Sequence, residues 1–158
     1  MLGIMGPSRS GKDEAASFFV QHFSLRYSGS TSIVISREVA KREGISFREA
    51  HDQRHERKQY WYDLGNEMRR DDPAYVAREA MKDSDILVGL RDGEELETIR
   101  KENLCELIIW IDRIVPFDPT LKFDSSYCDI VIQNHWTLED YHRRLMRVGL
   151  AMGLAFGG

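Results

Sequence analysis

The chain has 158 residues, of which 42% are hydrophobic and 30% are charged, and its formal net charge is −4. That length suits one domain with a hydrophobic core, and the composition is typical of globular rather than disordered proteins. It excludes a membrane helix, because no window approaches the roughly 18 consecutive apolar residues required, and the acidic balance disfavours general nucleic-acid binding.

The first predicted elements are a strand, a glycine-rich turn and a helix. Residues 2–5 are an apolar run typical of a buried parallel strand, and the turn that follows is bounded by Gly6 and Gly11. From residue 12 to about residue 23, apolar side chains recur at three- and four-residue spacing, which indicates a helix. The stretch "GPSRSGK" fits the phosphate-binding pattern G-x-x-x-x-G-K, in the strand–turn–helix context that the pattern requires.

The next part of the chain is predicted to be helical. After a small polar loop we expect a short helix closed by Gly44 as its C-terminal cap. Ser46 and Glu49 resemble a capping box that opens a second helix, and this helix carries apolar side chains such as Trp61 on one face and basic ones on another. Pro73 favours the first position of a third helix.

The second half of the chain alternates strands and helices. Apolar runs at residues 86–90, 104–111 and 130–132 predict strands, and amphipathic stretches at residues 92–101 and 138–150 predict helices. Such alternation is typical of a parallel sheet with helices on both faces. We therefore predict an α/β fold, a single-domain P-loop NTPase fold spanning residues 1–158.

Two cysteines, Cys105 and Cys128, lie in apolar runs that we interpret as strands. Small buried thiols fit a reducing compartment better than they fit a disulfide. A glycine-rich loop and charged residues arrive by residue 12, so we expect no signal peptide. These features predict a cytoplasmic protein.

The chemistry of the glycine-rich turn favours a phosphate ligand. Its backbone N–H groups and the N-terminus of the following helix present positive charge to one spot. Gly6 and Gly11 allow a close approach that a side chain would block, and Lys12 reaches the terminal phosphates. The residues predicted to bind ATP are Gly6, Ser8, Arg9, Ser10, Gly11, Lys12, Asp13 and Glu14.

Asp13 occupies the position where the phosphate-binding pattern has a Ser or Thr hydroxyl that binds Mg²⁺. A carboxylate also suits Mg²⁺. Two interpretations stay open: Asp13 is a direct or water-mediated metal ligand, or it is an anion that caps the helix N-terminus. We favour the metal-linked role.

The stretch "SGKD" resembles the phosphate loop of bacteriophage deoxynucleoside monophosphate kinases, and further segments resemble that family in the same order. They are "LGNEMRRDDPAYVAREAM" (64–81), "LVGLRDGEELETIR" (87–100), "IIWIDR" (108–113) and "CDIVIQNHWTLEDYHRRL" (128–145). Dephospho-CoA kinases share several of these traits. Gln133, Trp136 and Glu14 depart from the family pattern, which leaves the nucleotide open. The resemblance implies transfer of the ATP γ-phosphate, with Mg²⁺, to a (deoxy)nucleoside monophosphate, in the host cytoplasm if the chain is phage-encoded.

The same resemblance implies an acceptor site in the helical part, approximately residues 28–83. Arg70 matches the family arginine before the Pro-aromatic helix, so it is the first candidate for the acceptor phosphate and for catalysis. Arg57 and Lys58 come next, since they lie in the same basic stretch. Arginine suits this task because its planar group grips phosphate through two hydrogen bonds.

Three further positions follow predicted strands, where ligands bind in open parallel sheets. Arg91 is either a catalytic arginine or the partner of Asp92 or Glu95 in an ion pair. Asp92 is a candidate outer-sphere magnesium ligand. Arg113 opens a Pro-containing segment, approximately residues 112–126, which we interpret as a lid that delivers an arginine to the transition state.

Weaker candidates complete the predicted site. Lys122 is a second lid residue, and Asn134 with residues 27–32 is proposed by analogy to contact the base or ribose. His51 and His55 resemble the zinc motif H-E-x-x-H, but Asp52 is a shorter acid and no third ligand is placed. We therefore interpret these histidines as surface residues.

Alternative functions stay open at this stage. The acceptor could be dephospho-CoA or a modified base in DNA, or the chain could bind or hydrolyse a nucleotide without any acceptor. The expected partners are small-molecule nucleotides, with no membrane, with nucleic acid disfavoured by the net charge of −4, and with a homodimer as an open option.

Overall fold

The structure, a computed structural model, describes residues 1–157. Four parallel strands form one sheet in the order β2-β1-β3-β4. The strands are β1 (Leu2–Met5), β2 (Ile86–Val88), β3 (Leu107–Asp112) and β4 (Ile130–Gln133). Leu2 lies opposite both Ile86 and Leu107, and Ile109 lies opposite Ile130. The chain thus goes from β1 to a strand on one side and then crosses to the other side.

Helices cover both faces of this sheet. They are α1 (Lys12–His22), α2 (Thr31–Glu43), α3 (Phe47–Asp52), α4 (Lys58–Met68), α5 (Tyr75–Met81), α6 (Gly93–Lys101) and α7 (Leu138–Ala151). Short 3₁₀ turns lie at Gln53–His55 and Ser125–Tyr127. The prediction of an α/β fold with a parallel sheet and helices on both faces is confirmed.

The core has two layers because successive strand side chains point to opposite faces. Ile4 and its neighbours on one face pack with Phe19 of α1 and Leu145 of α7. On the other face, Met5 belongs to a cluster that also contains Leu64 of α4. All four residues of β1 are buried, and β1 pairs with a strand on each side. The end of β1 therefore holds the start of the following loop in a fixed position.

The two helix caps predicted from the sequence are confirmed, but the helix predicted after Ser46 is not continuous. Gly44 ends α2 with a φ of +67°, and the Ser46 hydroxyl accepts a hydrogen bond from the Glu49 N–H at 3.1 Å. The single helix predicted after Ser46 is wrong, since it is divided into α3, a 3₁₀ turn and α4. Arg57 leaves helical geometry, with φ −111° and ψ 35°, and ion-pairs with Glu43 of α2 at 2.6 Å.

Two smaller predictions are also corrected. The helix predicted to start at Pro73 begins at Tyr75, because Asp72 Oδ1 accepts the Ala74 N–H and forms a turn first. Cys105 and Cys128 flank strands rather than lying in them. Both thiols are free in the described chain, and burial raises their pKa values to about 11 and about 12.

The segment after α7, which the sequence left unexplained, packs against α1. Phe156 stacks on Phe23 with ring centroids 5.5 Å apart, and the Gly157 N–H donates to His22 O at 3.1 Å. Within residues 1–157, no helix is long and apolar enough to cross a bilayer.

Candidate functional site

The loop between β1 and α1, residues 6–11, has an unusual backbone. Gly6 has a φ of +140°, Arg9 of +63° and Gly11 of +102°. A Cβ atom at Gly6 would lie 2.6 Å from the carbonyl oxygen of Ile111 in β3. Glycine is therefore required at position 6 both by the backbone angle and by the close approach of β3. We call residues 6–11 the glycine loop.

Two side chains from the last part of the chain donate hydrogen bonds to carbonyl groups of the glycine loop. Asn134 Nδ2 donates to Ser10 O at 2.8 Å, and the Tyr141 hydroxyl donates to Gly11 O at 2.9 Å. A Cβ atom at Gly11 would lie 2.6 Å from Asn134 Nδ2. Asn134, which was predicted to contact base or ribose, thus contacts the backbone of the glycine loop and helps to fix its conformation.

Two buried polar groups lie in or directly after the glycine loop. Ser10 is fully buried, and its hydroxyl has no hydrogen-bond partner among the described residues. Lys12, the first residue of α1, is only 8% exposed, and its ammonium donates to Pro7 O at 2.5 Å. Burial and the nearby Arg91 cation lower the pKa of Lys12 to about 8. A buried hydroxyl without a partner is costly. A buried cation with a lowered pKa is typical of functional sites, so Lys12 is a candidate for a ligand contact.

Arg91 and the segment after β3 bring an ion pair to the glycine loop. The Ser8 N–H donates to Asp118 Oδ2 at 3.0 Å, and Arg91 Nη1 lies 2.5 Å from the same oxygen. Burial alone would raise the pKa of the Asp118 carboxyl, but hydrogen bonds from Thr120, together with the Arg91 guanidinium, outweigh it and lower the pKa to about 2. The ion-pair partner of Arg91 is therefore Asp118, and neither Asp92 nor Glu95, the two partners predicted for a purely structural Arg91.

A cleft of about 200 Å³ lies between α4 and the start of α6. It is lined by Asn66, Arg69, Arg70, Pro73, Asp92 and Glu94. Two arginines and a carboxamide offer donors to an anion, and the carboxylates of Asp92 and Glu94 balance their charge within the same lining. Arg70, the first predicted acceptor-binding residue, is exposed at the cleft. Arg69 beside it makes a contact that the sequence analysis did not predict.

That contact comes from Glu95, which is 1% exposed. Arg69 Nη1 lies 3.4 Å from Glu95 Oε2, but neither carboxylate oxygen accepts a hydrogen bond within residues 1–157. Burial raises the pKa of Glu95 to about 7, and the Arg69 cation opposes that rise. Arg69 also donates to Asn66 Oδ1 at 3.0 Å, so its guanidinium is held at the cleft from two sides.

The other two basic residues predicted to bind the acceptor, Arg57 and Lys58, do not line this cleft. Arg57 ion-pairs with Glu43 and stacks 4.5 Å above the ring of Tyr60. Arg57 thus joins the end of α2 to the start of α4. This ion pair explains the position of Arg57 without a contact to an acceptor nucleotide.

The three carboxylates predicted to bind Mg²⁺ or lie at the phosphates make different contacts in the structure. Asp92 caps α6 by accepting the Glu94 N–H at 2.9 Å. Glu14 lies 2.6 Å from His142 of α7. Asp13 is exposed at the start of α1, where burial and the Asp13 carboxylate raise the pKa of Tyr27. Asp13 thus keeps an accessible carboxylate beside the glycine loop.

The lid candidates differ in their surroundings. Arg113 is exposed, and its charge acts on Tyr141, the residue that supports Gly11. Lys122 Nζ donates to Pro119 O at 2.8 Å, and the Lys122 N–H donates to Arg91 O at 2.8 Å. Of the segment predicted to touch base or ribose, Thr31 donates to Gly89 O at 3.0 Å.

The histidine pair does not form a metal site. The Nδ1 atom of His51 lies 3.0 Å from the Ser36 hydroxyl, and its ring stacks on Phe47. Across residues 1–157, no three His, Cys, Asp or Glu side chains gather closely enough to hold a metal ion. A shallow depression of about 370 Å³ lies at α3, but it is lined by Ser46, Arg48, Glu49, Asp52 and Gln53 and includes no residue of the glycine loop.

Sequence reasoning missed Asp118, Tyr141, Arg69 and the role of Glu95. The stretch Asp118-Pro119-Thr120 did carry a signal, because Asp before Pro commonly starts a turn. Its contact with a loop 110 residues away could not be found from local patterns.

Comparison of the sequence with protein-family models and with curated proteins finds no match. The geometry of the glycine loop, the Arg91–Asp118 pair and the arginine-lined cleft are therefore the observations on which a function has to rest.

Proposed function

We propose that this chain is a kinase of P-loop NTPase fold that transfers the γ-phosphate of ATP to a (deoxy)nucleoside monophosphate. The observation that carries the proposal is the set of donors around the glycine loop. A buried lysine and a helix N-terminus without a side-chain cap lie there at the end of a central parallel strand, next to a buried serine hydroxyl that has no partner among the described residues. Such a set is suited to the phosphate tail of a nucleotide.

The position of the loop in the sheet supports the same proposal. β1 lies between β2 and β3, and the chain changes direction across the sheet there. Ligands of open parallel sheets bind outside the carboxyl ends of the strands at such a switch point. The glycine loop follows β1 and Arg91 follows β2, so both reach this edge.

The residues present fit a magnesium–nucleotide complex. Asp13 offers an accessible carboxylate beside the glycine loop, which is a ligand that Mg²⁺ prefers. Bound Mg²⁺ supplies charge neutralisation at the phosphate oxygens. Lys12 and Arg91 add positive charge from the protein, and the backbone N–H groups of the glycine loop orient the phosphates.

The cleft lined by Arg69 and Arg70 is proposed to hold the acceptor monophosphate. Asp92 lines this cleft and directly follows Arg91, so the cleft adjoins the phosphate-binding donors. A phosphate acceptor is already an anion and requires no strong general base. Catalysis therefore depends on positioning and charge, without a covalent intermediate.

Coupled measurement of ADP release tests the proposal when all ribo- and deoxyribonucleoside monophosphates are screened as acceptors with ATP and Mg²⁺. We expect release that depends on one or a few monophosphates. We expect Lys12→Met to abolish it, whereas Lys41→Met, at an exposed position of α2, leaves it unchanged. ADP release without any monophosphate would instead indicate hydrolysis, and no release with any acceptor would refute the proposed activity.

A further inference from the structure

One carboxylate of this chain already occupies donors that a phosphate would use. The Asp118 side chain is 10% exposed, and its Oδ2 atom accepts the Ser8 N–H of the glycine loop and lies 2.5 Å from Arg91 Nη1. A backbone N–H and an arginine that converge on one oxygen are donors typical of phosphate binding. Asp118 thus presents an internal anion to the loop.

Local turn formation does not explain this contact. Asp118 Oδ1 accepts the Thr120 N–H at 3.2 Å and the Thr120 hydroxyl at 2.6 Å, which is an ordinary turn. Asp124 forms the same turn, with the Ser126 N–H at 2.8 Å and the Ser126 hydroxyl at 2.6 Å. Asp124 makes no contact with the glycine loop among the described hydrogen bonds and ion pairs, so the turn does not require one.

We propose that Asp118 is an autoinhibitory latch: its carboxylate holds Ser8 and Arg91 until the phosphates of a nucleotide displace it. The inference rests on the proposed function and adds a regulation of that site. One N–H and one guanidinium edge cannot serve the carboxylate and a phosphate oxygen at the same position. Nucleotide binding therefore releases Asp118, and with it the segment between β3 and β4.

The latch lowers the apparent affinity of the site for anions. When only a fraction of the molecules has the donors free, the apparent Kd is the intrinsic Kd divided by that fraction. A latch that is closed in about nine of ten molecules weakens binding about tenfold. Removing the Asp118 charge while keeping its shape restores the intrinsic affinity.

Titration calorimetry with inorganic tripolyphosphate, and separately with ATP and Mg²⁺, tests the latch. The variants are Asp118→Asn and the matched control Asp124→Asn, which removes the same charge from the same segment and an equivalent turn. We expect Asp118→Asn to bind both probes at least about fivefold more tightly than the wild type, and Asp124→Asn to bind them as the wild type does. Asp118→Ala also removes the remaining amide acceptor and is expected to show the same gain, and circular dichroism checks that each variant is folded.

An unchanged or weaker affinity of Asp118→Asn and Asp118→Ala overturns the latch, and weaker binding would place Asp118 among the groups that support the bound phosphate. An equal gain in Asp124→Asn also overturns it, because the effect would then come from net charge. Failure of the kinase proposal is a separate result. If Asp118→Asn binds tripolyphosphate more tightly but no monophosphate is phosphorylated, the latch proposal stands and the proposed kinase activity is refuted.

Discussion

Lys12 is a cation buried at the start of α1, and its burial is unfavourable in the absence of an anion. It is 8% exposed, and burial together with Arg91 lowers its pKa to about 8. Free ammonium groups in the unfolded chain titrate near 10.4. Below pH 8 the folded protein therefore keeps a charge in an environment that disfavours it. A phosphate tail beside Lys12 would relieve this cost, which is the physical link between burial and binding.

The lowered pKa of Lys12 predicts that ATP affinity falls as pH rises above about 8. The free protein then loses the ammonium proton, and binding has to restore it, so the Kd rises up to about tenfold per pH unit. The ATP phosphates are about 90% ionised at pH 7 and fully ionised above pH 8, because the second pKa of a phosphate group is about 6. Titration calorimetry between pH 7 and 9.5 measures this dependence. Lys12→Arg keeps its charge throughout and should bind with a nearly constant Kd. A parallel fall in both proteins would contradict the assignment to Lys12.

Glu95 predicts a second pH effect, on stability. Its pKa is raised to about 7 by burial, whereas an unfolded glutamate titrates near 4.3. Between these values the folded state holds a proton that the unfolded chain has released, so the free energy of unfolding falls as pH rises from about 4.5 to 7. The loss is about 3–4 kcal/mol at most, at 1.36 kcal/mol per pKa unit.

Urea unfolding at pH 5 and pH 8 measures the contribution of Glu95. Glu95→Gln should lose this part of the pH dependence and be at least as stable as the wild type at pH 8. Glu97→Gln, at an exposed position of the same helix, should follow the wild-type curve. If Glu95→Gln and the wild type show the same change between the two pH values, Glu95 is not the titrating group.

The glycine loop, as an element, is fixed by its neighbours more than by its own sequence. Gly6 meets the β3 backbone, and Asn134 and Tyr141 bind the loop carbonyl groups from below. A loop held in this way keeps its backbone shape before any ligand arrives, and such preorganisation favours binding.

The close approach of β3 predicts a large effect of Gly6→Ala. The new Cβ atom would lie 2.6 Å from Ile111 O at a backbone φ of +140°, so we expect a loss of about 3 kcal/mol in the free energy of unfolding. Gly44→Ala is the matched control, since Gly44 also has a positive φ, +67°, but a Cβ atom there meets nothing within 4 Å. That variant should lose only about 1 kcal/mol. Equal losses in chemical denaturation would show that the contact with β3 is unimportant.

Elements were predictable from the sequence where the signal was local. The Gly44 and Ser46 caps and the alternation of strands and helices are patterns of neighbouring residues, and they are confirmed. The break before α4 was not predictable, because it coincides with an ion pair between Arg57 and Glu43, two residues 14 positions apart on different helices. Tertiary contacts of this kind override helical periodicity.

For the whole molecule, sequence analysis predicted the parallel sheet and the residues of the glycine loop, but not what surrounds the loop. Lys12, Arg70 and Arg91 carry recognisable patterns, and the structure places them at one edge of the sheet or at the adjoining cleft. Asp118 and Tyr141 reach the loop across 110 and 130 residues of chain. Such contacts follow from the sheet order β2-β1-β3-β4, which no local pattern encodes.

Everything proposed here depends on a triphosphate tail binding at the glycine loop, and calorimetric titration of ATP with Mg²⁺ tests this most directly. We predict saturable binding by the wild type with a Kd between about 1 μM and 1 mM, the usual range for enzyme substrates. Lys12→Met should weaken it about 10- to 100-fold, a loss typical of a charge-assisted contact. Heat changes that are absent in the wild type, or unaffected by Lys12→Met, would contradict a nucleotide site at this loop.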